Sequence, residues 1–225
     1  MAGAREESRA RTTAAILGAA RAEIAEHGGG GLSMRAVARE VGMVSSAVYR
    51  YFPTREALLT AMILESYGSL ADALRRALDE ATDEEPTLAP GARWAALGHA
   101  FRGWARARPH EFQLIYGTPV PGYVAPPETV PAAAAVARPF LEVGAGGQVA
   151  GYDEPALVAQ MSALQQEAPG AEPSGAAAVL AELAALVGLV SLELAGHLVG
   201  TADPADHLVD ALLERQAATL GLGRG

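Results

Sequence analysis

Apolar residues along this chain recur every three or four positions, and that spacing predicts helices nearly from end to end. Ile16 or Leu17, Ala20 and Ile24 share one face, which predicts a first helix from about Thr12 to His27; Gly28 to Gly31 then stop it. Ser33 stands where it can cap a short second helix, Met34 to Glu40, with Val37 and Val41 inward. Gly42 permits a left-handed turn, and a third helix of about Ser45 to Tyr51 ends before Pro53. Thr54 can cap a long fourth helix with Glu56 in its first turn, where the helix dipole favours a negative charge. Leu59, Met62 or Ile63, Tyr67, Leu70, Leu74 and Leu78 carry its stripe to about Ala81.

Beyond an acidic, proline-bearing connection, the pattern predicts helices over Ala92–Ala107, Pro109–Tyr116, Pro131–Leu141 and Glu154–Gln166. Leu157, Met161 and Leu164 would face inward in the last of these. Five prolines between Gly117 and Pro131 predict a mobile loop there. Leu180, Leu183, Val187, Val190, Leu194 and Leu198 mark the penultimate helix. The final one is expected to have Asp203 as cap, Pro204 at its first position and Asp206 at its third, with Leu208, Leu212 and Leu213 leading to about Leu220. Strict alternation of β-branched residues is missing, so the fold class is all-α.

Composition changes this picture in two places. The most apolar stretch, Gly175–Val199, carries Glu182, Glu193 and His197, which are costly in hydrocarbon, so it reads as a buried helix and not a membrane span. Met1 to Thr13 is polar and charged, unlike a signal peptide, and the chain has no cysteine; both suit a cytoplasmic protein. The net charge is −9, yet residues 1–65 hold eight Arg against seven acids. Between 33 and 55, Arg35, Arg39, Arg50 and Arg55 face Glu40 alone. DNA binding requires a basic face, not a basic protein.

Residues 33–59 carry the chemistry. Two short helices joined by a glycine turn form a helix-turn-helix, with Ala38 at the crossing and Val37, Val41 and Val48 closing a small core. Ser45, Ser46, Tyr49, Arg50 and Tyr51 are left for a DNA groove, and the N-terminal residues of such a helix read base edges. This unit resembles the TetR family. The helix-turn-helix, Tyr49-Arg50-Tyr51-Phe52-Pro53 and Arg55-Glu56-Ala57-Leu58-Leu59 fall in that family's register over about residues 12–62. The resemblance implies that Tyr49, Tyr51 and the start of the fourth helix contact phosphates, and it makes Ser33, Arg35, Ser45, Ser46, Arg50 and Arg55 candidates for DNA contact. Val44 stands where the family usually has a small hydroxyl residue; Ser45 or Ser46 takes over the cap, or Val44 meets a thymine methyl. Farther on, Phe101 to Pro109, Phe112 to Gly117 and Gly188 to Leu194 resemble the ligand domain of a subgroup named for a Trp-His-Gly motif, of which Leu186-Val187-Gly188 keeps only the glycine.

The implied organisation is a helix-turn-helix DNA-binding domain over 1–53, then an effector-binding and dimerisation domain over 54–225, the fourth helix (54–81) linking them. The candidate effector pocket is Tyr67, Trp94, Phe101, Trp104, Phe112 and Tyr116 with Gln160, Met161, Glu193 and His197, plus Gln165 as a further polar group. The resemblance implies a homodimer through the last two helices, with Leu183, Val187, Val190, Leu194, Leu208 and Leu212 at the interface. The implied partners are double-stranded operator DNA and an unidentified small-molecule effector, with no membrane, and the implied function is that of a ligand-responsive repressor.

Competing chemistry has little to stand on. The five histidines lack ligand spacing, so no metal or other cofactor is expected. The glycines between Gly144 and Gly151 are out of register for a dinucleotide loop, and there is no Gly-x-Ser-x-Gly elbow. The protein is therefore expected not to be an enzyme. The alternative is a helical small-molecule-binding or enzymatic protein with a vestigial helix-turn-helix.

Overall fold

The computed structural model of the chain describes residues 2–162 and 168–223, and among these every regular element is helical. In chain order they are α1 (Ala2–Gly31), α2 (Met34–Glu40), α3 (Ser45–Val48), α4 (Arg55–Glu84) and α5 (Pro90–Ala107). There follow α6 (Pro109–Tyr116), α7 (Thr129–Gly144), α8 (Pro155–Met161), α9 (Pro173–Leu194) and α10 (Asp206–Thr219). Leu164, Gln165 and Gln166, expected at the end of α8, lie outside the described residues.

The chain forms two compact units: residues up to Ser66 together with Arg108–Val130, and Tyr67–Ala107 together with Pro131 onwards. Contacts thus divide α4 at Ser66, later than the 53/54 boundary expected from the sequence. The reason is packing: Leu58, Leu59 and Met62 of α4 complete the core of the helix-turn-helix with Ile16, Ala20, Ile24, Val37, Val48 and Phe52.

In the first unit α6 packs on α1, and the proline-rich segment after it also belongs here. Leu114, Val120 and Tyr123 rest on the core, and the Tyr123 hydroxyl shares a 3.0 Å hydrogen bond with Thr60. The segment read as a mobile loop is therefore held down, by apolar side chains its prolines had masked. Arg21 of α1 ties Glu65 of α4 and reaches Glu111 of α6 at 3.8 Å. Gly28, with φ +69°, breaks α1 as expected, although one more helical turn follows it.

In the second unit Trp94 is fully buried, edge-on to Phe140 with ring centroids 5.2 Å apart. Its indole nitrogen donates to Gln216 Oε1 at 3.0 Å, and Gln216 donates in turn to the Glu182 carbonyl at 2.7 Å. Glu182, though buried, accepts from Arg215 at 2.8 Å. α5 and α10 approach closely at Gly98, where an added Cβ would collide with Leu213. α4 and α9 are long and apolar enough to cross a membrane by composition, but α9's two acids are both ion-paired within the fold, as befits a core helix.

The start of α10 departs from expectation. Asp203 does not cap it; Ala205 is the capping residue, with no side-chain bond, and the helix begins at Asp206. The Asp206 carboxylate instead accepts from Arg102 at 2.8 Å. α9 ends at Leu194, so Leu198 lies in the turns beyond it.

Candidate nucleic-acid interface

The site is built around one tight turn. The Ser33 hydroxyl caps α2 by accepting from the Ala36 amide at 3.3 Å, and Gly42, at φ +68°, turns the chain towards α3. Val37, Ala38, Ala47 and Val48 are buried between the helices, which sets the faces of both. The hydroxyl of Thr54 accepts from the Ala57 amide at 3.0 Å and caps α4 as expected. α3 itself is shorter than predicted. It ends at Val48, and the amides of Arg50, Tyr51 and Phe52 bond back to Ala47 and Val48 in tighter turns that lead to Pro53.

This packing leaves Arg35, Val44, Ser46, Tyr49 and Arg50 exposed, Val44 most of all at 70%. Ser45 and Tyr51 are half-buried. Val44 occupies the N-cap position without any side-chain bond, so neither Ser45 nor Ser46 takes over that role. Among the described residues, Arg35, Arg39 and Arg50 have no carboxylate partner, so their charge faces solvent uncompensated.

Arg55 does something other than predicted. Its guanidinium donates to the carbonyls of Leu32 at 3.1 Å, Gly29 at 2.7 Å and Gly30 at 3.1 Å. It ties the start of α4 to the orphan carbonyls where α1 ends, and is a positioning residue rather than a free cation. Ser33 is likewise half-buried and engaged as a cap.

The predicted effector residues do not gather. Trp94 and Phe101 are fully buried, Trp104 is 4% exposed and donates to Ser69, and Tyr67 is half-buried in the same unit. Phe112 and Tyr116 sit on α6 in the other unit, their rings 5.4 Å apart. Gln160 is exposed, Met161 is half-buried, and His197 is exposed in the turns after α9. Glu193 accepts two hydrogen bonds from Arg102, at 2.8 and 2.7 Å. Those bonds raise the Arg102 pKa, and Arg102 in turn holds the Asp206 carboxyl below its ordinary value. A cavity of about 580 Å³ in the second unit has other walls, among them Arg75, Asp79, Asp83, Arg93 and Glu142. Sequence periodicity finds apolar faces; it does not distinguish an aromatic that lines a space from one that fills it.

The predicted interface residues divide too. Leu183 and Val190 are buried in the chain's own core, Val187, Leu194 and Leu212 are half-buried, and Leu208 is 40% exposed. The free face of α9 is Ala181, Ala184, Ala185, Gly188 and Leu192. This face was legible only as the gap between the large residues.

Comparison with known proteins places these features among characterised groups. The family of bacterial regulatory proteins called tetR matches residues 16–62, and the tetracyclin repressor-like C-terminal domain matches residues 94–216. Two proteins named HTH-type transcriptional regulators, Rv1816 of Mycobacterium tuberculosis and Mb1846 of Mycobacterium bovis, are each 40% identical over 154 residues. That match covers 66% of this chain and 62% of each relative, less than two thirds of their length. A solved structure described as a regulatory protein, SCO4313, is 34% identical with a TM-score of 0.80, over 95% of this chain and 98% of that one.

Proposed function

The chain belongs to the TetR family of bacterial regulatory proteins, and from that premise we propose that it is a DNA-binding transcriptional regulator, a ligand-responsive repressor acting as a homodimer in the cytoplasm. The observation that carries the reading is the exposed set around α3: Val44, Ser46, Tyr49 and Arg50, with Arg35 near the start of α2. A helix fits the major groove, and base edges there are told apart by hydrogen bonds and by contact with the thymine methyl. Arg50 and Ser46 supply the former and Val44 the latter, while Tyr49 and Arg35 suit phosphates. The protein acts by binding, not by catalysis.

A dimer must set its two recognition helices about 34–36 Å apart to meet successive major grooves. The outer faces of α9 and α10 are the surface we assign to pairing. Ala184, Ala185 and Gly188 let helices approach closely, and Leu192 and Leu208, at 47% and 40% exposed, are apolar area to cover. An effector that binds the second unit and prefers another spacing would release DNA by population shift.

The test is binding of the purified chain to a labelled duplex from its own promoter region across a salt series, with and without Tyr49→Ala. Tight, steeply salt-dependent binding that the substitution abolishes is expected. Binding that Tyr49→Ala leaves unchanged, or no binding to promoter DNA at all, counts against a regulator that grips DNA through α3.

A further inference from the structure

Sequence periodicity starts α1 near Thr12, but the helix begins at Ala2, about three turns earlier. The added turns carry Arg5 and Arg9, four residues apart and in step with the buried face. Arg5, Arg9, Thr13, Ile16 and Ala20 recur at intervals of three and four, and Ile16 and Ala20 are fully buried in the helix-turn-helix core. The core thus ends before Arg9, while the face continues beyond it. There the Arg9 guanidinium lies over the Tyr51 ring, its carbon 5.4 Å from the centroid.

Both arginines are exposed, and among the described residues neither meets a carboxylate. Glu7 reaches Arg11 instead, at 4.0 Å, on a different side of the helix. A guanidinium stacked on an aromatic face still presents its N–H edge outward, and the ring restricts its rotamers before any ligand arrives. Tyr51 closes the segment that follows α3, so the stack places a held cation beside the proposed DNA-reading surface.

We propose that Arg9 and Arg5 form a second DNA-gripping element, which binds backbone phosphates flanking the bases that α3 reads. The inference rests on the DNA-binding reading above. The ligand is phosphate because two uncompensated guanidinium groups on a helix flank offer bidentate donors and no groove-shaped surface.

Arg5→Ala, Arg9→Ala, the double variant and Arg11→Ala are compared with the unsubstituted chain, on a labelled promoter duplex and on a random-sequence duplex of equal length. Affinity is read between about 50 and 200 mM salt. Each of the first two substitutions is expected to weaken binding roughly three- to tenfold on both duplexes and to lower the salt slope by about 0.9, with Arg11→Ala unchanged. Arg5 touches nothing in the fold, so its loss cannot arise from unfolding; thermal melts check Arg9→Ala. A slope unchanged in the double variant, with promoter binding intact in the unsubstituted chain, overturns this inference alone. Losses confined to the promoter duplex overturn the assignment to phosphate. A chain that binds neither duplex overturns both this inference and the regulatory reading beneath it.

Discussion

Arginine is treated differently in the two units. In the helix-turn-helix unit Arg35, Arg39 and Arg50 stand exposed without carboxylate partners among the described residues. In the other unit Arg75, Arg102 and Arg215 are each hydrogen-bonded to a carboxylate: Glu142, Glu193 with Asp206, and Glu182. The same residue type leaves a local positive field in one place and serves as an internal fastener in the other. A net charge of −9 therefore says nothing about whether the chain meets a polyanion; the pairing of each cation does. Arg55 is the exception that sharpens the contrast, since it lies in the first unit yet behaves like the arginines of the second.

The largest expected effect lies at Arg102. Its side chain is 8% exposed and fastens α5 to the end of α9 and the start of α10. Arg102→Met should cost about 3 kcal/mol in urea unfolding, because Glu193 keeps its partial burial and loses its partner. A midpoint within error of the unsubstituted chain would remove the fastener from the comparison.

Next comes the pair Arg55 and Arg50, close in sequence and opposite in use. Arg55→Ala should lose about 1–3 kcal/mol of stability, as three backbone carbonyls lose a charged donor. Arg50→Ala should stay within about 0.5 kcal/mol in stability, as a surface substitution, yet weaken DNA binding. If both melt alike and both weaken binding alike, Arg55 is a contact residue after all and the contrast fails.

The smallest effect is a pH dependence at Asp206. Arg102 depresses its pKa from the ordinary 3.8, so the ionised pair contributes stability above that value and loses it as pH falls through the lowered one. Asp206→Asn should flatten this part of the acid limb of a stability-versus-pH curve. An acid limb unaltered by the substitution would mean that Asp206 adds nothing through its charge, consistent with a side chain 53% exposed.

Much of this was readable from local rules. Ser33 and Thr54 cap where a short hydroxyl precedes an apolar period, and Gly28 and Gly42 take the positive φ that other residues resist. The signal for Arg5 and Arg9 was present as well, in their phase with Ile16, but their segment has no apolar residue to announce a helix. Asp203 misled because a cap-like Asp-Pro pair is also compatible with a turn, and Arg102 drew Asp206 into an ion pair at the helix start.

By itself the sequence determined the helical class, the helix-turn-helix and its exposed face, and the family. Each depends on spacing within a few turns, where backbone geometry alone sets which side chains share a side. Only the tertiary structure decided which arginines stay free, that Trp94 and Phe101 are packed in the core, and that Leu183 and Val190 face inward while Gly188 and Leu192 face out. Those outcomes depend on which distant residue arrives opposite each side chain, and contacts across 46 residues for Glu65 with Glu111, or 91 for Arg102 with Glu193, leave no local trace in the chain.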